Sequence, residues 1–566
     1  MPNSAILPKR MRHPRSPLLL IVFVAVVSFV VHLSSHGSLY GGGDEGSYIA
    51  TGKLMSQSLR FVYPDEAAEF GRRYLPLSSF VPSGFSSYND EVHPPEVVSG
   101  WNKGFAIFSI PMWLLFPERG WMGVSPLACA ISIVAIYFVG AAIRSPFVGV
   151  GAALLLATNW LQLWFSRYPM SEVLSQSMIL LMLLCVVSFI QTSRRIFVFI
   201  FTLLASFASV VHFANVPIWG MLGVTMLAPL LPMRRREDVN PTLSWIFQPA
   251  SFRIERSKIL PFVGTAVLTL GVPLLTTVSY WLADPGVRRY VRFSQKMVST
   301  SGRLDQLAES LVVRLQNLSL FVPSFVWLVL LVCVALFITN RGAPRRWLLL
   351  LGSLALLSFL LIVTSGVGTP RVLYVARRNV PVIIPALCLL TAVAIDYAAS
   401  LIRRPVLSKS FAAMLVLGLS VMQLYTFYPF RKVDQARGSL SLAADVKAAM
   451  SERNTGRPQF LLVTDFGANL KTGLRYVSNI PILNFSPAIT PDVISRMLGD
   501  GVDLYVLDDI YRPIAKLITT MPNARLSQIA THTVWMGHPN QVGPTDFPKI
   551  SNGPNLNFYL YKIETQ

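Results

Sequence analysis

Residues 9–46 read KRMRHPRSPLLLIVFVAVVSFVVHLSSHGSLYGGGDEG, and this stretch decides the fold class. Its middle, Leu18 to Leu33, carries no formal charge and with its flanks supplies the roughly 20 mostly apolar residues that a spanning helix needs. Lys9, Arg10, Arg12 and Arg15 precede it, which sets the N-terminus on the cytoplasmic side. A signal peptide has the same outline. Ser34, Ser35 and His36, however, make a poor small-x-small cleavage site, so the segment is read as an anchor.

The pattern repeats along the chain. Apolar runs follow at Met122–Ile143, Phe147–Phe165, Val173–Ile190, Ile196–Phe213, Pro217–Leu231, Leu260–Trp281, Leu320–Thr339, Trp347–Thr364, Val380–Ala399 and Phe411–Phe427. Phe105 to Phe116 is also apolar. It is too short to span and holds Pro111, so it suits a helix lying at the interface. Omitting it puts Arg144, Arg194–Arg195, Arg234–Arg236, Arg341–Arg346 and Arg403–Arg404 all in cytoplasmic connections, as the positive-inside rule asks. The expectation is therefore a polytopic α-helical membrane protein with about eleven transmembrane helices.

Composition agrees. The chain is 53% hydrophobic and only 14% charged, against about 25% charged in soluble domains. A soluble enzyme, a disordered chain and a fibre are excluded. The net charge of +21 would suggest nucleic acid in a soluble protein. Here it falls largely in the loops that face the cytoplasm, and no nucleic-acid motif is present. Cys129, Cys185, Cys333 and Cys388 lie in separate apolar runs, which argues against a disulfide framework or a cysteine metal site.

Three domains follow: a basic cytoplasmic N-terminus (1–17), a transmembrane domain (18–430) with an outer loop (34–121) holding the juxtamembrane helix 105–116, and an extracytoplasmic α/β domain (431–566). The last alternates helix-like stretches, Leu440–Met450 and Pro491–Leu498, with strand-like runs at Phe460–Thr464, Leu504–Leu507 and Phe558–Tyr561.

Candidate chemistry collects in the outer connections. After the first span, Tyr40-Gly41-Gly42-Gly43-Asp44-Glu45-Gly46 reads as a tight polar loop presenting two carboxylates above the bilayer. Adjacent acids oppose each other's ionisation, so one is poised as a general base. Gly46 to Lys53 only resembles a phosphate loop: five residues separate its glycines, and Leu54 stands where a Ser or Thr would hold magnesium. An ATP-driven pump is thereby rejected. His93 and Lys103 follow in the same loop, Lys103 at the start of the interfacial helix, where a lysine meets lipid phosphate or simply snorkels. Arg167 and Glu172 flank the short turn Ser166–Glu172. Arg288, Arg292, Arg371, Arg377 and Arg378 are basic residues on the side where the rule does not ask for them, and arginine suits phosphate. No HExxH metal motif is present.

Together these features resemble the GT-C superfamily of membrane glycosyltransferases, in particular the protein O-mannosyltransferases and lipid A aminoarabinose transferases. The likeness rests on Asp44-Glu45 after the first span, Asn102-Lys103-Gly104 opening the juxtamembrane helix, Arg167 through Glu172, and Arg371, Arg377 and Arg378 before the proline-bearing span of Pro381 and Pro385. Asn379 stands where the family often has Tyr, and Glu172 where some relatives have Asp. The resemblance covers roughly Leu18 to Ala399. It implies a polyprenyl-phosphate sugar donor, an acceptor hydroxyl on a glycan, lipid or protein, and inverting transfer in the plasma membrane with an extracytoplasmic active site. It makes Asp44 the base, with Glu45 and Glu172 in support. Lys103 and Arg371, Arg377 and Arg378 would lie at the donor phosphate. No cofactor is required, although Asp44, Glu45 and Glu172 leave a divalent cation as an option. A transporter or flippase is the rival reading, for which Asp396 is the one acid inside a span.

Overall fold

The computed structural model describes residues 15–34, 43–76, 79–81, 85–89, 91–92, 94–117, 120–230, 256–288, 343–364, 377–428, 438–452, 456–464, 468–508, 513–535, 539–540, 549–550 and 555–565. Ten helices occupy the first part: α1 (Arg15–Ser34), α2 (Gly43–Ser58), α3 (Glu66–Gly71), α4 (Gly104–Leu115), α5 (Val124–Ile143), α6 (Pro146–Thr158), α7 (Trp160–Phe165), α8 (Ser171–Thr192), α9 (Ile196–Val211) and α10 (Asn215–Leu227). Helical segments at Arg256–Ala266 and Val272–Ala283, joined by a π-helical turn, and helices Ala343–Thr364, Ile383–Ser400 and Pro405–Phe427 complete the bundle.

Six helices among the described residues are long and apolar enough to cross a membrane: Ser16–Leu33, Gly120–Ile143, Ser171–Thr192, Ile259–Ala283, Ile383–Ser400 and Pro405–Phe427. Shorter apolar helices lie at Gly104–Leu115, Pro146–Thr158, Ile196–Val211, Asn215–Leu230 and Trp347–Ile362. The protein is a multi-pass helical membrane protein. The expected span Leu320–Thr339 lies outside the described residues.

Lipid tails are as apolar as leucine, so burial alone does not hold such helices together; close packing of small side chains does. The interior of α5, α6 and Ile383–Ser400 is accordingly rich in buried small residues, among them Ala128, Ala135, Ala152, Ala153 and Ala392. The lipid-type faces stay apolar and uncovered, as at Phe23 and Val26 of α1 and Met414 and Leu417 of the last bundle helix.

The sequence reads Phe147–Phe165 as one span, but the chain breaks it. Asn159 leaves the helical conformation (φ −63°, ψ 131°), and its side-chain oxygen accepts from the N–H groups of Leu161 (3.1 Å) and Gln162 (3.2 Å). A short amide that caps a new helix stops the old one.

Beyond the membrane helices, three short strands, β1 (Val62–Pro64), β2 (Phe85–Asn89) and β3 (Glu96–Ser99), form an antiparallel sheet in the order β1-β3-β2. A second sheet forms from β4 (Gln459–Val463), β5 (Ile482–Asn484), β6 (Asp503–Asp508), β7 (Ala524–Trp535) and β10 (Asn555–Thr565), with β8 (Pro539–Asn540) and β9 (Lys549–Ile550) as a separate pair. Its order is β5-β4-β6-β10-β7; β4 runs parallel to β5 and β6, and β10 antiparallel to β6 and β7. Every residue of β6 is buried, as in a central strand covered on both faces. Helix Ser439–Glu452 covers one face. Helices Pro491–Gly499 and Pro513–Ile518 cover the other, together with Ala68, Leu75 and Phe80 from the segment after α2. That segment and the α/β unit thus share a core.

Candidate active site

The sequence reads Asp44-Glu45-Gly46 as part of a glycine-rich loop. Instead these residues form the first turn of α2. Glu45 is buried, and the Asp44 side chain lies outside the description. The rejected phosphate-loop segment, Gly46–Lys53, lies within α2. α2 packs on α4, with the Tyr48 and Phe105 rings 5.3 Å apart.

Tyr48 sits one turn along from Glu45. Its hydroxyl donates to Ser171 Oγ (3.1 Å), and the Ser171 hydroxyl lies 3.4 Å from Glu172 Oε2. Glu172, in the first turn of α8, is buried and pairs through Oε1 with Arg377 Nε at 3.1 Å. Arg377 also points Nη1 at Met170 Sδ (3.5 Å). Gln176, one turn further along α8, donates to the Val380 carbonyl (2.7 Å), pinning the segment that carries Arg377. His212 and Arg378 lie within electrostatic reach of Glu172. Three separate sequence motifs therefore meet: the start of α2, the start of α8 and the turn Arg377–Asn379. Tyr48 is the connection that sequence reasoning missed. It becomes visible only when residues 43–58 are known to be helical, so that Glu45 and Tyr48 share a face.

Lys103 is elsewhere and otherwise engaged. It is fully buried, 3.1 Å from Asp284 Oδ2, and donates to the Ser99 (2.8 Å) and Trp101 (2.9 Å) carbonyls. Its own N–H donates to the Tyr280 hydroxyl (2.7 Å). Three acceptors use its three ammonium protons, so in this state it ties α4 to the end of Val272–Ala283. Burial pushes its pKa below the usual lysine range, and Asp284 pulls it part of the way back. Asp284 also accepts from the Gly286 (2.9 Å) and Val287 (3.3 Å) N–H groups, and half-buried Arg288 follows directly.

Arg167 packs against aromatic rings. Its guanidinium is buried over the rings of Trp164 (4.8 Å), Phe427 (5.3 Å) and Tyr168 (5.8 Å). Planar and weakly hydrated, it stacks where an ammonium would not. His93, Arg292 and Arg371 lie outside the described residues. At the opposite end of the bundle Arg144 pairs with Asp396 (2.8 Å), which commits the acid on which the transporter reading depended.

Among the described residues no three His, Cys, Asp or Glu side chains cluster as metal ligands. Glu172, neutralised by Arg377, is a poor ligand for a divalent cation.

The chain superposes on the crystal structure of ArnT from Cupriavidus metallidurans bound to undecaprenyl phosphate with a TM-score of 0.54. That match has 13% identity and covers 96% of this chain and 97% of that one. The two share a fold over nearly their whole lengths. The Archaeoglobus fulgidus oligosaccharyltransferase in its apo form matches with a TM-score of 0.51 and 12% identity, over 88% of this chain and 69% of that one. No family model matches the chain, and no curated protein matches it by sequence.

Proposed function

We propose that this protein is a membrane glycosyltransferase of the GT-C type that moves a sugar from a polyprenyl-phosphate carrier to an acceptor hydroxyl of a glycan, lipid or protein on the extracytoplasmic face. The observation that carries the reading is the convergence, within this fold, of the α2 and α8 N-termini and the Arg377–Asn379 turn at one end of the bundle.

In this reading the polyprenyl chain holds the sugar at the membrane surface beside Asp44. The acceptor oxygen forms its bond to the anomeric carbon as the bond from that carbon to the phosphate oxygen breaks. The bonding pair leaves with the phosphate, already a stable anion, so no acid need protonate it. The acceptor proton passes to Asp44, and the in-line geometry inverts the centre. Arg377 and Arg378 stabilise charge on the departing phosphate. Glu172, already paired, positions Arg377 rather than acting as a base. Tyr48 holds the start of α2 in register with α8, and Glu45, one turn before it, supports the base.

The test is mass spectrometry of lipids that co-purify with the Asp44→Asn protein, against an unrelated membrane protein, alongside a transfer assay. An enriched polyprenyl-phosphate sugar with lost transfer supports the reading and names the sugar. Full transfer by Asp44→Asn removes the base, and a folded sample free of isoprenoid lipid removes the donor class.

A further inference from the structure

Besides the Tyr48 bond to α8, the helix that carries Asp44 and Glu45 is held, among the described residues, on two further sides. On one side is α4. On the other is the α/β unit, whose chain comes within contact of the α2 N-terminus: a Cβ built on Gly46 would stand 3.7 Å from Thr472 Cβ. Immediately after Thr472 the chain makes a π-helical turn, Gly473–Val477, closed by Ser478 N–H to the Gly473 carbonyl (3.0 Å). Single π turns widen a helix and leave carbonyls without an i+4 partner. Here Lys53, two turns along α2, donates its ammonium to the Val477 carbonyl.

The same turn makes a second attachment. Arg475 pairs with Asp65, and the Tyr476 hydroxyl donates to Asp65 Oδ2 (3.3 Å). Asp65 is fully used, because it also caps α3 by accepting from Ala68 N–H (2.9 Å). Tyr476 packs at a tilt against Phe85 of β2, with ring centroids 4.4 Å apart. Ile49 and Met55 of α2 lie in the small cores to which Val477 and Tyr476 contribute. Buried, paired and ring-packed contacts of this kind fix an element's position far more firmly than surface pairs do.

We propose that the turn Gly473–Val477 of the α/β unit positions the catalytic helix, through Lys53 to the Val477 carbonyl and through Arg475 and Tyr476 to Asp65, so that acceptor activation depends on the docked unit. The inference rests on the glycosyltransferase reading above. Lys53, Arg475 and Tyr476 are positioning residues and touch no substrate in it. A displaced α2 would weaken the step that uses its first turn. It would leave donor binding, which depends on the Arg377 turn, largely as it was.

The experiment is steady-state transfer by the full chain carrying Lys53→Met, Lys53→Arg or Tyr476→Phe, with donor binding measured separately on the same detergent-purified proteins. Lys53→Met keeps the length and apolar stem and loses the donor. The expected result is a kcat lowered about tenfold or more with the donor KM within about twofold of the parent, and partial recovery in Lys53→Arg. Tyr476→Phe removes one hydroxyl and gives the same split should Lys53→Met fail to fold. An unchanged kcat in a folded variant overturns the proposal, as does a kcat and donor affinity that fall together, which marks general loosening. Asp44→Asn, run in parallel, separates the two ideas. If it is inactive while the Lys53 and Tyr476 variants are fully active, the base stands and the positioning role falls. If it is fully active, the base reading itself falls.

Discussion

Removing the Lys103 ammonium distinguishes a phosphate ligand from a structural tie. Lys103 and Asp284 are both 0% exposed, so Lys103→Met leaves a buried carboxylate without its counter-charge. Breaking such a pair from one side costs roughly 3–5 kcal/mol. Two backbone donors, Gly286 N–H at 2.9 Å and Val287 N–H at 3.3 Å, stay on the carboxylate. They hold the loss near the lower end, about 3 kcal/mol. In a single cooperative unit of 566 residues that corresponds to a fall of roughly 2.5 °C in Tm. The double variant Lys103→Met/Asp284→Asn buries no charge and keeps an acceptor for both N–H groups, so it melts above Lys103→Met, while the Ser99 and Trp101 carbonyls, without their donor in both variants, hold it below the parent. The assay is a thermal melt of purified protein in one detergent, paired with donor binding. A Lys103→Met protein that melts like the parent while binding donor many-fold more weakly would refute the tie and return Lys103 to the phosphate.

Other expectations are simpler. Arg377→Lys keeps the charge but loses the planar fork that reaches Glu172 and Met170, so transfer falls about tenfold or more; a full rate would remove that geometry from the site. Gly104→Ala places a Cβ 2.4 Å from the Val211 backbone, so α4 must move off the end of α9; the yield of folded protein should drop, and normal yield with a normal melt would contradict the close approach. Arg144→Ala breaks a partly exposed pair with Asp396 at the far end of the bundle, which changes stability by no more than about 1 kcal/mol and leaves transfer unchanged. A lost activity in that variant would reopen the role of Asp396.

The helical membrane character was legible in the chain because it depends on local composition: apolar runs declare helices. The short proline-bearing helix at Gly104–Leu115 was readable for the same reason. What failed was conformation without an apolar signature. Gly43–Ser58 is polar and glycine-bearing, and it is helical because α4 and the π turn at Gly473–Val477 hold it from both sides. Asn159 reads as one polar residue in an apolar run, until its side chain is seen capping the next helix.

Charge gave the same lesson at the site. The sequence identifies Lys103, Arg167 and Arg377 as basic residues in a phosphate-binding pattern, yet it has no means of assigning their partners. Asp284 lies 181 residues from Lys103, and Phe427 lies far along the chain from Arg167. A charge is a property of one residue, so the chain specifies it alone. A buried pair is a property of two positions brought together at the cost of desolvating both, and only the tertiary structure decides which two.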